Sequence, residues 1–155
     1  MRIFDFIKIK YRLFVLSSSE VCMPIDIFSL SRKLEEMYPD PLVDRIIESY
    51  KHSDSAFVRR AIVIAIQYIG GDYASSKLNL IREFLSDDNY WVSYDAISAL
   101  AELGDLGGSD HLVISQYAAE YSGLSSSDLE EIEPENALQH RNKLAAEILL
   151  RLNSD

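Results

Sequence analysis

Apolar positions recur with a helical period along most of this chain, and the run Asp88 to Gly104 shows it best. There Val92, Ala96, Ala99, Leu100 and Leu103 are three or four residues apart, which places them on one stripe of a helix. Asp87 or Asp88 can cap the first turn, and Gly104 supplies a residue that tolerates the left-handed conformation at the helix end. Ala96, Ala99 and Ala101 leave room for close approach of a second helix. Moved back by 34 residues, the pattern returns: Asp54, Phe57, Val58, Ala65, Ile66, Ile69 and Gly70 fall on Asp88, Trp91, Val92, Ala99, Leu100, Leu103 and Gly104. An internal period of this size predicts stacked helical repeats.

The rest of the chain follows the same rhythm. Ile27, Phe28, Leu30, Leu34 and Met37 predict a helix over Ile25–Tyr38, which Pro39-Asp40-Pro41 ends. Asp40 then caps a helix that has Pro41 in its first turn and Leu42, Val43, Ile46, Ile47 and Tyr50 on its buried stripe. The helix from about Ser55 to Ile69 is apolar nearly all round, so it belongs in the middle of a stack. One helix is expected over Asp72–Ser86, with Leu78, Ile81, Phe84 and Leu85 inward, and another over Asp110–Tyr121, with Leu112, Val113, Tyr117, Ala118 and Tyr121. The last helix, about Glu135 to Leu152, turns Leu138, Leu144, Ala145, Ile148, Leu149 and Leu152 to the stack, with Arg141, Lys143 and Arg151 on a basic outer edge. Residues 122–135, with Gly123, three serines, Pro134 and five acids, read as an acidic loop inserted into the last helix pair.

Residues 1–22 form an N-terminal extension that fits two patterns. Ile7, Ile9, Tyr11 and Leu13 alternate with Lys8, Lys10 and Arg12, the period of a strand, whereas Phe6, Ile9, Leu13 and Leu16 share a helical face. The same lysines and arginine interrupt the apolar core a signal peptide would need, and no run approaches the ~20 apolar residues of a membrane span. Met23 is an alternative start, in which case the extension would be an appendage.

The paired helices resemble the second helices of HEAT-type repeats. The resemblance rests on Asp88, Trp91, Val92, Ala96, Ala99, Leu100, Leu103, Gly104 and the following Asp105, and covers Asp54–Gly70 and Asp88–Asp105. Ser93, Tyr94 and Asp95 depart from the pattern; such repeats often carry Arg, then an aromatic or small residue, and then a small residue there. What the resemblance implies is an all-α fold, a short α-solenoid of about three helix pairs over residues 23–155, and a scaffold for binding other macromolecules.

Composition narrows the function classes. The 155 residues are 48% apolar and 26% charged, as in a folded protein with one domain's worth of core. A single cysteine, Cys22, excludes an internal disulfide framework and a Cys-rich zinc site, and fits a reducing, cytoplasmic location. The net charge is −10, and its distribution matters more than its total. Residues 1–82 carry 12 basic and 10 acidic groups, residues 83–140 carry 13 acidic and no basic ones, and residues 141–155 are +1. Nucleic acid needs clustered Lys and Arg and is not the expected partner. An acidic face suits a basic protein, with electrostatically steered encounter that weakens in salt.

No motif carries chemistry. His52, His111 and His140 are far apart in sequence, and there is no His-Glu-x-x-His or Cys-x-x-Cys run. Gly104, Gly107 and Gly108 lack the lysine of a phosphate loop, and Asp105 begins no calcium loop. Cys22 has no histidine beside it in sequence to activate it. Neither cofactor, metal nor membrane partner is expected, and the chain reads as a non-catalytic binding module.

The candidate surface is a second stripe on the organising helix. Trp91, Asp95, Ser98 and Glu102 are spaced i, i+4, i+7 and i+11, flanked by Tyr94, with Tyr90 and Asp87-Asp88 at the head. An exposed aromatic ringed by acids has the anatomy of a hot spot for a basic protein. Asp128, Glu130, Glu131 and Glu133 of the loop are further contacts on this reading. The alternative is that Trp91 and Tyr94 pack against a neighbouring element while the acids solvate the helix. Small acidic solenoids are similar to bacterial immunity proteins that neutralise a basic toxin. HEAT-like enzymes, namely phycobilin lyases and DNA glycosylases, and an assembly subunit of a larger complex are the competing expectations.

Overall fold

The computed structural model of the chain describes residues 3–104, 106–121 and 136–153, and the nine regular elements there are all helices. They are α1 (Ile3–Ser18), α2 (Pro24–Met37), α3 (Pro41–Tyr50), α4 (Ala56–Ile69), α5 (Gly71–Ser76), α6 (Leu78–Phe84), α7 (Tyr90–Leu103), α8 (Gly108–Ala119) and α9 (Ala137–Leu152). The chain divides into two compact units, Met1–Lys77 and Leu78–Asp155. Helices form wherever periodicity predicts them, one of them broken in two, and of the two patterns in residues 1–22 the helical one forms.

In the first unit α4 is the central element, packed against α1, α2, α3 and α5. Val58 and the unbroken run Ala61–Ile66 are buried, which is why its sequence is apolar on every side. α1 docks through Ile9, Leu13 and Leu16, and α2 through Ile27, Leu30 and Leu34. Two hydroxyls tie helix to helix: buried Ser31 donates to the Ala61 carbonyl at 3.0 Å, and Ser55, the N-cap of α4, donates to the Leu16 carbonyl at 2.6 Å. Asp40 caps α3 as its position before Pro41 predicts, accepting from the Leu42 amide at 2.9 Å.

The expected Asp72–Ser86 helix is two helices with a break at Lys77. Ser75 and Ser76 donate to the carbonyls of Gly71 and Tyr73, a local competition that weakens a helix interior. The Lys77 amide bonds back three residues to Ala74, as in a 3₁₀ turn, and its ammonium is held at 2.8 Å from Asp44 and 3.1 Å from Glu48 of α3. Those partners lie 29 or more residues away, beyond the reach of a local pattern.

In the second unit α7 packs against α6 and α9, and α9 also packs against α8. Val92, Ala96, Ile97, Ala99 and Leu100 are buried, as the stripe predicts, and Leu103 is half-buried. The N-cap is Asn89 rather than Asp87 or Asp88; its side chain accepts from the Trp91 and Val92 amides, while Asp87 accepts from the Asn89 amide. Gly104 takes the left-handed conformation at φ 67°, ψ 22° that ends the helix. α8 starts two residues earlier than expected and buries Ile114, leaving Leu112 exposed. Asp110 in its first turn accepts from the Gly107 amide and from Arg82 Nε, both at 2.9 Å.

The 34-residue offset is kept in the limits of two helices. α4 and α7 are both 14 residues long, begin 34 residues apart, and end at glycines of positive φ, Gly70 and Gly104.

The alkaline limb of stability follows from three phenols. Burial first, and then the Asp44 carboxylate that accepts from its hydroxyl, raises Tyr73 well above the ordinary phenol range. Burial likewise raises Tyr117 and Tyr121. A raised folded-state pKa means stability is intact below the unfolded value of about 10 and is lost above it, because the unfolded chain releases protons that the folded chain keeps. Unfolding free energy should therefore fall above about pH 10, by up to about 1.4 kcal/mol per pH unit from Tyr73, with Tyr117 and Tyr121 adding smaller losses of the same sign. Urea melts at successive pH values check this, and Tyr73→Phe should make the fall shallower.

Candidate functional site

The stripe Trp91, Asp95, Ser98, Glu102 lies on the side of α7 that faces α9. Trp91 stacks on His140 of α9 at 5.4 Å between ring centroids and meets Tyr94 edge-on at 5.5 Å. Asp95 is buried, only 7% exposed, and Trp91, Tyr94 and Ser98 are half-buried. Two small clefts mark the seam. One of about 260 Å³ lies between Ser98, Glu102, Leu144 and Arg151, and one of about 230 Å³ between Tyr94, His140, Lys143 and Glu147. The expected solvent-facing stripe is thus corrected at its centre, where Asp95 is buried and Trp91 packs on His140 of α9. Of the stripe itself Glu102 stays exposed; at the head of the helix Asp88 and Tyr90 are exposed and Asp87 is half-buried. Asp128, Glu130, Glu131 and Glu133 lie outside the described residues.

Arg141 corrects the expected basic outer edge of the last helix. It is 5% exposed and its guanidinium lies 3.6 Å from the Tyr117 ring centroid and 4.9 Å from that of Tyr90. Its Nε and Nη2 donate to Asn142 Oδ1 at 3.1 and 2.9 Å. Glu120 closes the cluster, 3.5 Å from Arg141 Nη2 and accepting from Asn142 Nδ2 at 2.6 Å. Tyr117 in turn donates to the Leu85 carbonyl at 2.7 Å. The cation therefore serves packing between α7, α8 and α9. Leu152, also expected inward, is exposed.

This arrangement sets the electrostatics of the second unit. Leu78–Asp155 contains 15 acidic and 4 basic residues, a net −11, whereas Met1–Lys77, with 11 basic and 10 acidic, is +1. Of the four cations, Arg82 is bound to Asp110 and Arg141 to Glu120, so half of the positive charge is spent inside the unit. The acidic block is visible in the sequence, whereas Arg141, expected on the basic outer edge of the last helix, is enclosed by aromatic residues from two other helices.

The remaining candidates for chemistry are dispersed. No group of three or more His, Cys, Asp or Glu residues that could hold a metal ion occurs among the described residues. Burial, and then Asp26, raises the Cys22 thiol pKa, the direction opposite to an activated nucleophile. No described helix is long and apolar enough to cross a membrane. No family model matches the chain, and no curated protein or solved structure matches it.

Proposed function

We propose that the chain is a non-catalytic protein-binding module that presents the acidic exterior of Leu78–Asp155 to a basic protein. The observation that carries this reading is the charge of that unit, −11, with two of its four cations already engaged by its own carboxylates. Such a surface raises the rate of encounter with a cationic partner and rejects anionic ones. The contacts assigned to it are Asp88, Tyr90 and Glu102, which remain exposed, while Trp91, Tyr94 and Asp95 position the helix that carries them. Within the same reading, α4 and α7 are the equivalent second helices of HEAT-type repeats, as their equal length and 34-residue offset support. A basic toxin neutralised in a reducing, cytoplasmic compartment is the partner class that the acidic unit and single cysteine suit.

The test is affinity capture from the source organism's lysate with three baits: wild type, Asp88→Lys/Glu102→Lys, and Trp91→Phe, each checked for folding. A discrete basic protein should be retained by wild type and Trp91→Phe, lost from the charge-reversed bait, and released by about 0.5 M salt, where screening is nearly complete. Equal retention on all three baits, or retention through the salt wash, overturns the proposal.

A further inference from the structure

The first unit carries an exposed apolar face of its own. α1 buries Ile9, Leu13 and Leu16 but leaves Ile7 56%, Tyr11 68% and Phe14 68% exposed, at the i, i+4, i+7 spacing of a second stripe. Ile25 and Phe28 of α2 are exposed as well, at 65% and 40%. Between the two helices run adjoining clefts of about 440 and 380 Å³. Tyr11, Val15 and Leu16 line the first, Ile25 and Phe28 the second, and Lys8 and Arg12 belong to both. The sequence pattern had shown one apolar face of α1, and the second was hidden in the alternation of Ile7 and Tyr11 with lysines.

Lys8 and Arg12 decide what fits. They are one helical turn apart and have no ion pair or hydrogen bond with a carboxylate among the described residues, unlike Arg32 and Lys33 beside them, which pair with Glu35 and Glu36 at 2.9 and 3.1 Å. Two unpaired cations over an apolar, aromatic-flanked cleft match a helix whose apolar residues enter the groove while acids spaced i, i+4 reach the rim. From Lys8 to Leu16 the groove follows α1 for about 12 Å, or about two turns of a bound helix. Asp26 and Glu36 also line the clefts, so the acids of a bound helix must lie on the Lys8 and Arg12 side, and the concavity favours an inserted segment over a flat bilayer.

We propose that the α1–α2 groove is a docking site for an acidic amphipathic helix of a partner protein. Its sign is opposite to that of the second unit, so it selects a different class of partner and stands independently of the basic-protein reading.

The test uses the full chain and fluorescein-labelled helical peptides of about 18 residues, long enough to span the groove. One set has a leucine stripe flanked by Glu at i, i+4, the other has Lys in place of Glu, and anisotropy reads binding. Wild type should bind a Glu peptide at least about tenfold more tightly than its Lys counterpart. Lys8→Glu/Arg12→Glu should reverse that preference, and Tyr11→Ala/Phe28→Ala should weaken binding about tenfold or more with an unchanged circular dichroism spectrum. Lys8→Gln, a milder variant, should weaken Glu-peptide binding a few-fold without reversal. The proposal is overturned if no Glu peptide saturates, if the preference survives the charge swap, or if vesicles containing phosphatidylserine bind the chain and the peptides do not.

Discussion

Replacing Arg141 with alanine should destabilise the protein by about 3 kcal/mol, a size reached when a buried, bonded charge is removed. The guanidinium is enclosed by Tyr117 and Tyr90, and two of its nitrogens donate to Asn142. Alanine removes those contacts and leaves a void between α7, α8 and α9. A methionine at the same position distinguishes volume from charge. Glu120 keeps about half of its side chain in water and is not stranded by loss of the cation. Arg141→Met should therefore recover the part of the loss that is volume, but not the part due to buried Asn142 Oδ1, which loses both donors. Urea unfolding of the three proteins measures both effects. A loss below about 1 kcal/mol in Arg141→Ala would return the residue to the solvated outer edge its sequence suggests.

Ile66→Ala and Leu100→Ala should each cost about 3 kcal/mol, within the range for truncating a fully buried aliphatic side chain. The two residues are 34 positions apart, both 0% exposed, and occupy the same place in α4 and α7. Their neighbourhoods are well filled with aliphatic and alanine side chains, Ile62 and Ala65 beside the first, Ala96 and Ala99 beside the second. Alanine at exposed Leu112 should change stability by less than about 0.5 kcal/mol, although the amphipathic pattern places it inward. Chemical denaturation checks the set, and a Leu112→Ala cost equal to the other two would contradict the orientation of α8.

Helix existence was legible in this sequence because it depends on local spacing. The Asp40-Pro41 start, the Gly70 and Gly104 ends and the buried stripe of α7 all lie within a few residues of the signal that predicts them. What was not legible depends on residues distant in the chain. Lys77 breaks a helix that its periodicity continues, held by carboxylates of α3. Asp95 reads as a solvent position on its own helix and becomes buried within a unit where α9, more than 40 residues later, packs on α7. Arg141 reads as an outer-edge cation until Tyr90 and Tyr117 arrive from two other helices. The candidate site moved for the same reason. The acidic block was visible as composition, but which of its members reach water is decided by the helix that covers the Trp91 side.

The burial of Asp95 and the stacking of Trp91 also change what a charge reversal reports. Substituting either residue perturbs packing as well as any surface, whereas Asp88 and Glu102 can be reversed with little effect on the core. Variants built on exposed acids therefore separate binding from folding.

The most direct measurement is amide hydrogen exchange of the full chain with and without the captured basic partner. Slowed exchange is expected in the segments that carry Asp88–Tyr90 and Glu102, with exchange over Ile3–Lys77 unchanged. Protection confined to Ile3–Lys77, with none in Leu78–Asp155, would contradict it and move the partner's contact surface to the first unit.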